Sequence, residues 1–405
     1  MKKKKHSSII HTIQKKVYEF MEEKKEYLMP DYYNTFSCKM GECRRACCEG
    51  WPITFSIEDY FRLTSCECSE ELRRRIDTGV KISLSPTPDV YAQILPKYDG
   101  NCPLRREDGR CSIHFELGEE CLSDICRLYP RGLRIEPKNE CSCANSCEAV
   151  LELLFSREAP IEFQMGACTN PLPPMGKRTV IYPVFGREQE ARLHLIKVLQ
   201  NRSLPIHQRL SDLGRSLRDL EEIIEKQDET TFDLWLKRAF DTSVSQNDEK
   251  DLSFAIQTAT GLLAYVDERS DSVRDYGVAA LDYFDKEAVL EKYETAKAHF
   301  ESAYPKWEIY FEQMLVNHVF FEQFPFQDRP VSLWNEFVSL CAVYALMRFL
   351  GIGYLMNKTD FTQFVDLYSA LFRLIDHTSF DTYAAKTLKR LGCNTPKLLS
   401  HLISL

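Results

Sequence analysis

Cysteine is crowded into one stretch of this chain: 13 of its 16 cysteines fall between Cys38 and Cys147, out of 405 residues. They are Cys38, Cys43, Cys47, Cys48, Cys66, Cys68, Cys102, Cys111, Cys121, Cys126, Cys141, Cys143 and Cys147, and only Cys168, Cys341 and Cys393 follow. Three chemistries explain such crowding: disulfides, structural zinc, or an iron-sulfur centre. Disulfides presuppose an oxidising compartment. Met1 to Lys5 is basic, but His6 to Lys25 has neither an unbroken apolar stretch nor a small-residue cleavage site. A reduced, cytoplasmic setting is therefore expected, where thiolates select zinc or iron-sulfur clusters.

Spacing leaves those two open. Structural zinc sites pair C-x2-4-C knuckles across a spacer, often with histidines. Here the first group reads C-x4-C-x3-C-C, Cys102, Cys111 and Cys126 follow irregularly, and His114 is the block's one histidine. Neighbours such as Cys47 and Cys48 are expected to diverge, leaving one of them off the metal. Cys168, Cys341 and Cys393 read as small buried hydrophobes.

Hydrophobic residues at 44% and charged residues at 28% describe an ordinary globular chain, and a net charge of -8 offers no basic footprint for nucleic acid. Phe337 to Met356 is long and apolar enough to be checked as a membrane span. Arg348, Ser339, Gly351 and Gly353 interrupt it, so a buried helix, and no membrane partner, is expected.

Along the chain, residues 6 to 26 carry apolar residues at helical spacing. Ser56 and Ser69 are placed to cap helices from Ile57 and Glu70. Val80 to Leu84 and Tyr91 to Leu95 read as strands, Arg110 to Phe115 extends that small sheet, and Glu116 to Leu128 reads as one helix. Arg73, Arg74 and Arg75 read as a solvated face. Pro171, Pro173 and Pro174 mark a boundary. Beyond it the chain reads as successive helices, from Arg187 to Asp267 and again from Asp285 to Leu391. The fold class expected is mainly α: an extension over 1–28, a cysteine-rich metal domain with a small β element over 29–170, and an all-helical domain over 171–405.

No glycine-rich strand-to-helix loop with a following acidic residue is present, and Gly351-Ile352-Gly353 sits in a helical run where close packing explains it. A C-x3-C-x2-C run of the radical type is absent too, because Cys48 follows Cys47 directly.

The string Tyr32-Tyr33-Asn34-Thr35-Phe36-Ser37-Cys38, then Gly41-Glu42-Cys43 and Cys47-Cys48-Glu49-Gly50-Trp51, resembles the opening of the flagellin lysine-N-methylase family. Cys102-Pro103-Leu104, Asp108-Gly109-Arg110-Cys111, Leu122-Ser123, Cys126-Arg127-Leu128-Tyr129-Pro130-Arg131 and Ser146-Cys147-Glu148-Ala149 continue the likeness, over about residues 28 to 155. Related metal-chelating domains share the C-C and C-R-x-Y/F-P elements.

The resemblance implies a protein-lysine N-methyltransferase acting on flagellin with S-adenosylmethionine and an iron-sulfur cluster, expected as 4Fe-4S, in the bacterial cytoplasm. On this sequence the implied ligand pool is Cys43, Cys47, Cys102, Cys111 and Cys126, with Cys38, Cys48 and Cys147 beside them. Trp51, Arg127 and Arg131 are the cofactor-binding candidates, since an arginine offsets thiolate charge and can hold a carboxylate. Tyr129, Asp124 and Glu119 are the candidate bases. The competing expectation is a non-catalytic scaffold that binds zinc or iron and captures a partner protein on its helical part.

Overall fold

The computed structural model describes residues 26–45, 47–48, 53–98, 100–134, 138–168, 184–238, 251–269, 271–284, 288–326 and 332–405. The helix expected over residues 6 to 26, Trp51, and Pro171, Pro173 and Pro174 lie outside them.

The described residues are mainly helical, with small sheets. Among its described residues the cysteine-rich part has seven short strands: β1 (Glu26–Pro30), β2 (Thr54–Phe55), β3 (Val80–Ile82), β4 (Ala92–Ile94), β5 (Arg131–Arg134), β6 (Glu140–Cys143) and β7 (Phe163–Ala167). It also contains five helices: α1 (Ile57–Ser65), α2 (Glu70–Gly79), α3 (Ser112–Leu117), α4 (Asp124–Leu128) and α5 (Glu148–Phe155). Ser56 Oγ accepts the Asp59 N–H at 3.0 Å and Ser69 Oγ the Leu72 N–H at 3.2 Å, so both expected caps form.

β2, β4 and β3 make the small antiparallel sheet, in that order. Arg110 to Phe115 does not extend it. Cys111 forms a single bridge with Arg105, and α3 then begins at Ser112. The helix expected over Glu116 to Leu128 is also broken: a 3-10 turn, Glu119–Cys121, is followed by extended Leu122 and Ser123, and Ser123 Oγ caps the separate α4 through the Cys126 N–H at 3.3 Å. Of the three arginines only Arg74 is exposed as expected; Arg73 donates to the Thr64 and Cys66 carbonyls and Arg75 to that of Arg105.

A four-stranded sheet, ordered β5-β6-β1-β7, was not foreseen. β1 runs parallel to β6 with Leu28 opposite Glu140, and antiparallel to β7 with Leu28 opposite Met165.

The helical part runs through α6 (Glu188–Leu199), α7 (Ile206–Lys226), α8 (Glu229–Leu236), α9 (Leu252–Arg269), α10 (Asp271–Phe284), α11 (Val289–Ala303), α12 (Trp307–Phe321), α13 (Leu333–Leu355), α14 (Phe361–His377), α15 (Phe380–Arg390) and α16 (Pro396–Leu402). Of these, α10 and α16 were not anticipated. By length and composition α13 could cross a membrane, but it lies inside this array. Its glycines serve packing, as expected: a Cβ on Gly351 would meet the Tyr368 hydroxyl at 2.3 Å, and one on Gly353 would meet Ala280 Cβ at 2.8 Å.

One apolar core runs from Tyr27, Met29 and Phe36 through Leu133 and Val150 into the helices, where Cys341 and Cys393 are buried as small hydrophobes. A second core, around Leu63, Ile76, Ile94 and Ile113, lies under the small sheet. The thiol-lined cavity described next draws its walls from both.

Candidate metal centre

Three features of the chain bring the cysteine motifs together. Gly41 and Gly109 stand back to back with φ of +108° and +84°, and a Cβ on Gly109 would lie 2.5 Å from the Gly41 carbonyl oxygen. Only glycine satisfies both the backbone conformation and the approach. The loop before Cys43 is thereby seated on the turn before Cys111.

The buried carboxylate of Glu148, at the start of α5, accepts the Arg44 N–H at 3.1 Å and the Lys39 ammonium at 3.0 Å. Arg44 continues outward, its Nε donating to Asp366 of α14 at 2.7 Å. The third feature orients α4: Asp59 Oδ2 accepts the Asp124 N–H at 3.1 Å, while Arg62, paired to Asp59, donates to the Leu122 carbonyl.

The result is a cavity of about 350 Å³ lined by Cys38, Cys43, Cys47, Cys48, Cys102, Cys111, Cys126 and Cys147. All eight cysteines of the expected ligand pool face it. Glu119, Arg127, Tyr129 and Arg131 line it as well. Asp124 does not; it stands behind the wall, accepting from Arg127 at 2.7 Å. Lys39, Arg105 and His114 also face the cavity, and Phe36, Phe55, Ile94 and Leu122 give it apolar walls. Arg131 stacks on Phe36, 4.9 Å from the ring centroid. Arg105 follows directly on the Cys102-Pro103-Leu104 motif and Glu148 lies within the Cys147 motif, yet neither was singled out from the sequence.

Cys47 and Cys48 do not diverge. They lie in a turn rather than a strand, so consecutive side chains need not alternate. Cys102 and Cys47 donate to the Cys48 sulfur, and with Arg105 nearby they hold that thiol down to about 3. Cys47 and Cys102 move up in consequence. Burial raises Cys111, and raises Cys43 to about 11 and Cys126 and Cys147 each to about 12. Such thiols become ligands when a cation compensates their buried charge.

Among the described residues no three His, Cys, Asp or Glu side chains close on a point as a single ion needs. The donor chemistry nonetheless fits a soft metal, with eight sulfurs facing one space.

The remaining cysteines of the block lie elsewhere. Cys66 and Cys121 meet sulfur to sulfur at 2.9 Å, and Cys141 and Cys143 are buried in β6. Cys168 differs from the buried hydrophobe expected of it: it is half-buried, with its sulfur 3.5 Å from the Tyr33 hydroxyl.

Fold and site define a helix-dominated protein whose cysteine-rich end encloses a thiol-lined cavity. Residues 192–402, just over half of the chain, match the model of the FliB lysine N-methylase C-terminal domain. The chain belongs to the FliB lysine N-methylase family. No curated protein and no solved structure matches it.

Proposed function

We propose that this chain is a protein-lysine N-methyltransferase that acts on flagellin in the cytoplasm, with S-adenosylmethionine as methyl donor and an iron-sulfur cluster in the thiol-lined cavity. The family name suggests the lysine and the flagellin. The observation that carries the cofactor reading is the convergence of eight cysteines from seven separate sequence motifs on one cavity. Cys43, Cys47, Cys102, Cys111 and Cys126 are the first candidates to hold the cluster, with Cys38, Cys48 and Cys147 completing the lining. When bound, the cluster supplies a Lewis-acidic anchor.

The chain's own residues supply the rest. Arg105, Arg127 and Arg131 present guanidinium groups suited to a donor carboxylate. Phe36 and Tyr129 present rings suited to a sulfonium or an ammonium. Methylation also needs a neutral lysine amine, whose ordinary pKa is about 10.4, so a proton must leave the substrate. Of the candidate bases, Tyr129 and Glu119 line the cavity, as does the His114 imidazole.

The test is metal and sulfide analysis with a visible spectrum on protein purified without oxygen, followed by transfer of a labelled methyl group to flagellin. About four iron and four sulfide per chain, with label appearing on lysine, is the expected result. Zinc without sulfide and without transfer would overturn the reading in favour of a structural scaffold.

A further inference from the structure

The cavity is connected to the helical part by a line of polar side chains, of which the reaction above uses only the first, Tyr129. Tyr129 lines the cavity, and its hydroxyl lies 3.1 Å from Ser146 Oγ. Ser146, fully buried, lies 2.8 Å from Nε2 of His377. His377 is the last residue of α14 and is exposed.

Ser146 is held in place from outside the line. Its neighbour Asn145 donates to the Met314 carbonyl at 2.8 Å, and Asn317 donates to Asn145 Oδ1 at 2.7 Å and to the Cys143 carbonyl at 2.8 Å. Asp376, the residue before His377, aims elsewhere, 3.0 Å from His318 Nδ1.

We propose that Tyr129, Ser146 and His377 form a proton path that carries the substrate lysine's proton out of the cavity to the solvent edge of α14. The proposal rests on the methyltransferase reading. With the His377 proton on Nδ1, Nε2 accepts from Ser146, and Ser146 accepts from Tyr129. An ammonium N–H bond breaks as its proton joins the Tyr129 oxygen. Tyr129 passes its own proton to Ser146, and Ser146 passes its own to Nε2. The amine is left neutral with its lone pair, both hydroxyls are restored, and the imidazolium releases a proton to water.

Moving a proton from an ordinary ammonium to an ordinary imidazole is uphill by a factor of about 10⁴, and burial lowers His377 below the ordinary imidazole, which makes the step steeper. The path thus supplies a small fraction of free amine, which methyl transfer draws off. Among the described residues, Asp376 and Arg373 on its own helix act on His377, and the Tyr129 ring from the cysteine-rich part lies 5.9 Å away. Tyr129 is the catalytic residue of the three; Ser146 and His377 act through it and are positioning residues.

The experiment is methyl transfer to flagellin against pH for wild type, Ser146→Ala and His377→Ala. Each variant is expected to lose about 10²-fold in kcat at neutral pH, keep its KM for the donor, and regain rate as pH rises toward the lysine's own value. Added imidazole should restore part of the His377→Ala rate. An independent readout is the ring nitrogen NMR signals of His377, which should shift in Ser146→Ala protein. An active wild type with unchanged pH profiles in both variants overturns the path alone, as does an unmoved His377 signal. An inactive wild type overturns the methyltransferase reading, and the path with it.

Discussion

Arg192 reaches both carboxylate oxygens of Glu140 at 2.7 Å, joining the first helix of the helical part to the sheet of the cysteine-rich part. Both side chains are about 95% buried, at 5% and 4% exposure. Gln189 and Gln323 add amide donors to the same carboxylate, at 2.8 and 3.2 Å.

Removing one partner of this pair strands a buried charge, so Arg192→Met is expected to cost about 3–5 kcal/mol in denaturant unfolding. Burial alone would raise the Glu140 carboxyl, yet Arg192 and the two glutamines hold it below its ordinary range. Its stabilisation is therefore complete above the unfolded carboxyl's value and is lost as pH falls through the lower folded value. The wild type's advantage over Arg192→Met should shrink in acid.

Gly41→Ala and Gly109→Ala should each part the two cysteine motifs that these glycines press together. Roughly 1–3 kcal/mol of stability and a marked loss of bound metal are expected, read by unfolding and by metal analysis. Gly392→Ala is the control. It shares the positive φ, but nothing lies within 4 Å of its added Cβ, so about 1 kcal/mol is expected with metal retained.

Gly351→Ala should act on packing alone. The added methyl displaces the Tyr368 hydroxyl, which donates to the Met347 carbonyl at 3.0 Å. A cost of roughly 1–3 kcal/mol in thermal unfolding, with unchanged affinity for the methyl donor, is expected. A weakened donor site would instead restore the glycine pair as a nucleotide-type loop.

His318 should make stability depend on pH in the opposite sense to Glu140. Burial would lower its value, but Asp376 outweighs that and raises it. The contribution is full below the unfolded histidine's value of about 6.5 and is lost as pH rises through the higher folded value. Unfolding at pH 5.5 and 8.5 checks this, with the gap between wild type and Asp376→Asn expected to be larger at the acid point.

The helical part was readable because its signals are local. The stripe Leu210, Leu213, Leu217, Leu220 and Ile223 turns inward along α7, and Phe320 and Phe324 are buried as periodicity implies. The four-stranded sheet was not readable. All four residues of β6 are buried, which removes the alternation that marks a strand, and β1 takes its partners from more than 100 residues away. Arg110 to Phe115 looked like a strand, yet once Cys111 is fixed beside Arg105 the chain turns into α3 at Ser112.

At the site, the identity of the cavity-facing cysteines came from motif likeness, while their convergence did not follow from spacing. It depends on contacts such as Gly41 against Gly109 and Glu148 against Arg44, which join residues 68 and 104 positions apart. The Ser146 to His377 contact spans 231 positions and left no mark in the sequence pattern.

The order of strands has a consequence for biosynthesis. β1 is made first but sits inside its sheet, so neither edge can pair until the ribosome has delivered Glu140, and the second edge waits for Phe163 to Ala167. By then every cavity-facing thiol from Cys38 to Cys147 has emerged. The nascent thiols meet the cell's iron, zinc and oxidants before the sheet can close beside them. On the proposed cluster reading, metal supply and oxygen during translation set how much loaded protein a culture yields.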